Sequence, residues 1–268
     1  MPEQRTGTAV NAFVAMLRRD LVVTGREFIP FLLMALMQPL FFLFIFGKVL
    51  PGIGLAAPHF ASLMLPGIVA LTGMIASMQG VTLPLVIDLG YAREIDDRLL
   101  SPLPVWWVPL EKVLFAAVRG TIASSVIFPL GRVILGDGFA VRTDRIAMLI
   151  GMVILTALVG ATIGLLMGTI IKPEQISLMF TLIFTPLLFT GCTYYPWGAL
   201  GRIRWFQIAT LFNPLTYAAE GLRYSMVPKI GGQEFPTLDI GWILFALGTS
   251  VVVMFAAGTR TFRKRVVN

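Results

Sequence analysis

The sequence predicts an all-α polytopic membrane protein of six transmembrane helices. An N-terminal amphipathic interfacial helix, a cytoplasmic helix between spans two and three, and re-entrant extracytoplasmic helices before span six complete the predicted fold. Three observations predict it. Of the 268 residues, 57% are hydrophobic and only 13% are Asp, Glu, Lys or Arg. Mean hydropathy is +0.85, above what soluble domains carry. The apolar residues also fall in runs of the length that crosses hydrocarbon, about 20 residues, since in lipid a helix must satisfy its own backbone groups.

Residues 1–27 read as a cytoplasmic tail and the interfacial helix. Over Ala9 to Glu27, Val10, Phe13, Val14, Leu17 and Leu21 share one helical face, with Arg18, Arg19 and Arg26 largely elsewhere. Such a helix suits the inner leaflet, and the same face would equally suit a partner protein. Arg18, Arg19, Asp20 and Arg26 interrupt the place where a signal peptide needs its apolar region, so no cleaved leader is expected.

The six-span domain covers 28–259, with spans at about 28–50, 60–88, 105–135, 146–171, 176–196 and 238–259. The cores Phe28–Gly47, Phe60–Ile87, Ile146–Ile171, Ile176–Gly201 and Ile240–Thr259 contain no charged residue, and Val113–Gly131 contains only Arg119. Gly160, Gly164 and Gly168 form a small-residue ladder on span four, which permits close helix approach. A further apolar run, Trp205–Ala219, is fifteen residues long and broken by Asn213-Pro214. It is too short to span and belongs to a re-entrant segment over 197–226. Residues 260–268 are a basic tail.

An even number of spans puts both termini on one side. Twelve Lys and Arg residues then share that side, including Arg5, Arg18, Arg260, Arg263, Lys264, Arg265, Arg93, Arg98, Lys112 and Lys172, against eight on the other. The positive-inside rule makes this the cytoplasmic side. Trp106 and Trp107 fall at the inner interface, and Trp197, Trp205 and Trp242 at the outer one, as an aromatic belt requires.

Several chemistries are missing. His59 is the only histidine and Cys192 the only cysteine, so neither a metal site, a serine-hydrolase triad nor an internal disulfide is expected. A phosphate-binding loop is absent too: Gly47 and Lys48 are followed by Val49, and Phe42 stands where the first glycine would be. The net charge of +7 is scattered over loops and tails, which suits anionic headgroups and not nucleic acid.

What remains is a charged stretch in a greasy chain. In "YAREIDDRLL", Tyr91 to Leu100, good helix formers run up to "SPLP", where Pro102 and Pro104 stop them. Glu94 and Arg98 form an i,i+4 pair, and Ile95 and Leu99 make an apolar edge with Ala92. A solvated loop needs no apolar residues between its charges, so a docking helix is the stronger reading.

This helix followed by "LSPLPV", together with "FTGCTYYP" and "NPLTYAAEGLR" ahead of the last span, resembles the type-2 family of ATP-binding-cassette exporter permeases. Within it, the chain is similar to the daunorubicin-resistance and nodulation-factor permeases of the bacterial cytoplasmic membrane. The resemblance implies that Tyr91–Leu100 is the coupling helix seated in a separate nucleotide-binding ATPase subunit. Arg93, Glu94, Asp96, Asp97 and Arg98 would make its polar contacts, and Tyr91, Ile95, Leu99 and Leu100 its remaining ones. It further implies two ATPase copies that bind ATP and Mg, with no cofactor in this chain, and a second permease chain, identical or paralogous. Spans one, two and five would line the substrate path, with Gln38, Met74, Met78, Gln79, Phe180, Phe184 and Phe189 as candidates for a drug, lipid or glycoconjugate.

Arg119 either snorkels inward or faces that path. Asn213, Pro214, Glu220 and Arg223 would belong to an outer gate, although Asn-Pro breaks any helix and Glu220 and Arg223 at i,i+3 are placed to pair. The competing class is an ATP-independent secondary transporter or channel, which would require ionisable residues near the bilayer midplane.

Overall fold

The computed structural model describes residues 28–55, 60–92, 106–136, 139–228 and 235–267. The interfacial helix expected within residues 9–27, His59, and the stretch from Arg93 to Val105 with most of the expected coupling helix lie outside the described residues. Among the described residues every regular element is helical.

Helix α1 (Phe28–Phe44) contains Pro39 and passes into a π-helical turn, Ile45–Val49, and a last turn, Leu50–Gly52. Helix α2 (Phe60–Ile87) ends in a second π-helical turn, Asp88–Ala92. Helices α3 (Trp107–Leu135) and α4 (Ile146–Ile170) follow. Helix α2 sits at the centre, packed most extensively on α4 and then on α3. Its sequence explains this position: it is apolar all round, and a helix without a polar face has no side to turn to water. Met64, Leu65, Ile68, Leu71, Met74 and Met78 are accordingly buried.

Lipid tails are as apolar as leucine, so these helices gain from close backbone contact and not from escaping water. The glycine ladder provides that contact. A Cβ placed on Gly160 would stand 2.8 Å from the Met74 Cα, on Gly164 2.9 Å from the Met78 Cα, and on Gly168 3.1 Å from the Leu85 Cβ. The approach also lets Thr82 Oγ1 donate to the Gly164 carbonyl at 3.1 Å, while Ser124 Oγ on α3 donates to the Val69 carbonyl at 3.3 Å.

One expected span is interrupted. Among the described residues, five helices are long and apolar enough to cross a membrane: Ile29–Gly52, Phe60–Gly90, Trp107–Leu135, Ile146–Ile170 and Ile240–Val266. The span expected at 176–196 is a broken run: α5 (Ile176–Met179), a π-helical turn Phe180–Phe184, and α6 (Thr185–Thr190). At 1.5 Å per residue this run rises about 22 Å, less than the ~30 Å of hydrocarbon. Pro186 removes a backbone donor, and Thr181, Ile183 and Thr185 bring β-branched crowding to the turn before it. The chain nonetheless passes from one end of α2 to the other here. Pro173 lies against Gly90, and the Cys192 carbonyl is held by Arg223, which also bonds the Leu63 carbonyl.

The last helix, α9 (Ile240–Val267), does not stop where its apolar stretch does. The residues read as a basic tail from 260 continue the helix through Val267. Loss of hydropathy ends a span but not a helix, and nothing in "RTFRKRVV" breaks one. Arg265 then donates to the Thr169 and Ile171 carbonyls at 3.0 and 3.2 Å, satisfying acceptors left over at the end of α4.

At the other end of the bundle, basic residues hold loops. Arg142 bonds Asp144 at 2.9 and 2.6 Å, and this guanidinium holds the Asp144 carboxyl down to about 2. The Arg142 amide donates to the Met226 carbonyl at 3.0 Å, and the Arg145 guanidinium lies 4.0 Å from the Tyr224 ring centroid. Such contacts account for cations at the end that the charge rule leaves poorer in them.

Candidate functional site

Two polar assemblies stand at opposite ends of the bundle. The first gathers the segment between Cys192 and Val227. A 3₁₀ turn, Trp197–Arg202, leads into α7 (Arg204–Thr210) and, after the Asn-Pro break, α8 (Pro214–Met226). Asn213 starts α8 as its sequence demands: extended at φ −95°, with Oδ1 accepting from the Leu215 amide at 2.9 Å and Pro214 at the first helical position. Its Nδ2 donates to the Leu187 carbonyl and to Thr190 Oγ1, both at 2.9 Å, so one side chain caps α8 and ties it to α6. Asn213→Ala is expected to lower stability by about 1–2 kcal/mol, the range for a lost cap. Asn213→Asp, which keeps the acceptor and loses the donors, should fall between. Thermal unfolding in detergent measures both.

Glu220 and Arg223 pair as their i,i+3 spacing predicts, with both side chains at 0% exposure. The guanidinium does more than pair. Its Nε donates to the Leu63 carbonyl at 2.9 Å and its Nη2 to the Cys192 carbonyl at 2.7 Å, while Glu220 Oε1 accepts from the Trp197 amide at 2.9 Å. Cys192 has φ +49°, a left-handed conformation that side chains other than glycine adopt only when held. Thr193 crosses α2 so closely that a Cβ on Gly67 would stand 2.7 Å from the Thr193 Cα. One arginine thus binds "FTGCTYYP" and "NPLTYAAEGLR" to each other and to the first turn of α2. Both strings are legible in the sequence; that a single side chain joins them is not.

The second assembly closes the opposite end. Lys112, near the start of α3, stands 3.5 Å from Asp88, the first residue of the π-helical turn ending α2. Glu111 beside it is fully buried. Sequence reasoning passed over Asp88 because it sought charge inside the stretch from Tyr91 to Leu100, whereas the Asp88–Lys112 contact joins the helices on either side. Tyr91 and Ala92 complete that π-helical turn, and Arg93, Glu94, Ile95, Asp96, Asp97, Arg98, Leu99 and Leu100 lie outside the described residues.

The expected path residues scatter. Met74 and Met78 are buried in the core, in the part of α2 covered by the α4 glycines. Gln38 is exposed on α1, Phe189 is 58% exposed on α6, and Phe184 packs half-buried against the core. Phe180 has only its backbone described, in the π-helical turn of the broken run. Gln79 and Arg119 alone come together, in one cavity between α1, α2 and α3. Arg119 both lines that cavity and bends toward Phe31, its guanidinium carbon 4.1 Å from the ring centroid, so the two readings of it do not exclude each other.

With this geometry in place, comparison with known families is specific: the family model for the ABC-2 type transporter matches residues 11–227. No curated protein matches the chain.

Proposed function

The chain belongs to the ABC-2 type transporter family and is a membrane component, not the ATP-binding subunit, and on that premise we propose that it is the permease of an ATP-driven exporter. The observation carrying this reading is the extent of the match, residues 11–227, which takes in most of the stretch expected to form the front helix, the charged stretch and both motifs tied by Arg223. In the proposed complex, two copies of a separate ATPase bind ATP and Mg, and a second permease, identical or paralogous, faces this one. The end carrying Asp88, Lys112 and the C-terminal arginines is cytoplasmic. The broken run from Ile176 to Thr190 supplies a sixth crossing, since it joins the two ends of the bundle.

Mechanically, Tyr91–Leu100 connects α2 to α3, and the Lys112–Asp88 contact ties the roots of both helices. A push on that stretch is therefore delivered to the central helix and its neighbour together, which favours rigid-body rearrangement over local bending. The cargo is a lipophilic or amphiphilic compound, drug, lipid or glycoconjugate, taken from the cytoplasm or inner leaflet. This fits a membrane domain whose accessible side chains at Gln38, Gln79 and Phe189 are amide and aromatic. Changing Asp96 and Asp97 together to Lys is expected to abolish co-purification with the ATPase while leaving the permease folded by gel filtration. A complex retained at the parent's yield would overturn the coupling assignment.

A further inference from the structure

The last turns of α9 carry cations on two different sides. Phe262 is fully buried, and Arg265 turns inward to the Thr169 and Ile171 carbonyls at the end of α4. Successive residues of an α-helix turn by about 100°, so these two anchors fix where the remaining side chains point. Arg260, Arg263 and Lys264 fall on the opposite side and are exposed. Arg263 and Lys264 follow Arg260 at i,i+3 and i,i+4, the spacings at which side chains on a helix are neighbours. Three like charges so placed repel one another and weaken the helix unless an anion lies among them. Helix α9 supplies none, since it contains no Asp or Glu. Among the described residues, none of the three forms an ion pair or a side-chain hydrogen bond.

The same outward face continues along the helix through Ala256, Val253 and Val252 to Phe245 and Trp242, all exposed. Trp242 stacks on Phe245 with ring centroids 5.6 Å apart. From Trp242 to Arg260 the helix rises about 27 Å, close to the ~30 Å of hydrocarbon in a bilayer. A tryptophan at one interface therefore places the three cations at the headgroup level of the other. An acidic protein partner would need neither this match of length nor an apolar face leading up to the cations.

We propose that Arg260, Arg263 and Lys264 form a binding site for the phosphate of an anionic phospholipid, whose acyl chains lie along Ala256, Val253 and Val252. Only the crossing of a bilayer by α9 is taken from the permease reading. The test reads lipid binding and not transport, so its failure would leave that reading standing.

Binding of dioleoylphosphatidylglycerol and of dioleoylphosphatidylcholine to the full chain, purified in dodecyl maltoside, is followed by native mass spectrometry. Three cations at roughly fivefold each predict a preference for the anionic lipid of at least about tenfold. Arg260→Gln, Arg263→Gln and Lys264→Gln together should bring the two lipids to within about threefold, each single change giving an intermediate loss. Glutamine is a good helix former at these exposed positions, so the melting temperature in detergent should stay that of the parent. Arg260→Lys with Arg263→Lys keeps the charges and should keep most of the preference. Lys48→Gln with Arg132→Gln and Arg202→Gln removes three exposed cations from three separate elements and should leave the preference intact. An undiminished preference in the triple Gln variant of α9 would overturn the proposal. Were that variant to lose co-purification with an ATPase instead, the face would be a protein-docking surface. An equal loss in the dispersed variant, or displacement of the lipid by inorganic phosphate at the same concentration, would overturn it too.

Discussion

Replacing Arg223 with leucine is expected to cost about 3–5 kcal/mol, the range for breaking a buried ion pair from one side. Glu220 would keep its charge at 0% exposure with only the Trp197 amide bonded to it, its Oε2 already having no hydrogen-bond partner among the described residues. The Leu63 and Cys192 carbonyls would lose their donors in the same stroke. Arg223→Lys should recover part of the loss, because a single ammonium cannot reach carbonyls on two segments and a carboxylate with the guanidinium's fixed fork. Glu220→Met with Arg223→Met should be milder than either single change, since no charge is then left buried. Thermal unfolding of the purified permease in detergent orders these variants. An Arg223→Leu protein as stable as the parent would show that the arginine does not hold this end together.

Gly164→Leu is expected to be comparably damaging through a different cause. Its Cβ would meet the Met78 carbonyl and stand 2.9 Å from that residue's Cα, so backbone must move, not a flexible side-chain tip. Forcing α2 and α4 apart would also break the bond from Thr82 to the Gly164 carbonyl. Overpacking of this kind costs about 1–3 kcal/mol even for small insertions, and here it falls on the most extensive helix pair. Gly151 on the same helix is the control: a Cβ there meets nothing within 4 Å, so Gly151→Ala should be neutral or slightly stabilising. Equal melting temperatures for Gly164→Leu and Gly151→Ala would contradict the close-packing account.

The sequence disclosed what depends on local pattern. Long apolar runs marked α1 to α4 and α9, spacing marked the glycine face of α4, and Asn213-Pro214 marked the start of α8. The i,i+3 spacing of Glu220 and Arg223 was enough to foresee their pairing. Contacts between distant segments were not legible, because no periodicity in one segment encodes a carbonyl in another. The Arg223 bonds to Leu63 and Cys192 and the Asp88–Lys112 brace are of this kind. Hydropathy reports solvent preference and not backbone continuity, so it showed neither the break after Ile176 nor that the last helix goes on through the basic residues to Val267.

Among the described residues, π-helical turns occur at Ile45–Val49, Asp88–Ala92 and Phe180–Phe184. A π turn holds one residue more than an α turn, so rewinding it into α-helix rotates everything beyond by about 100° and shifts it along the axis by about 1.5 Å. A rod in which such a turn rewound would change which side chains face its neighbour by turning on its own axis, without bending. The Asp88–Ala92 turn lies where α2 enters the charged stretch, so a twist applied there would be read out as a change of face along the central helix.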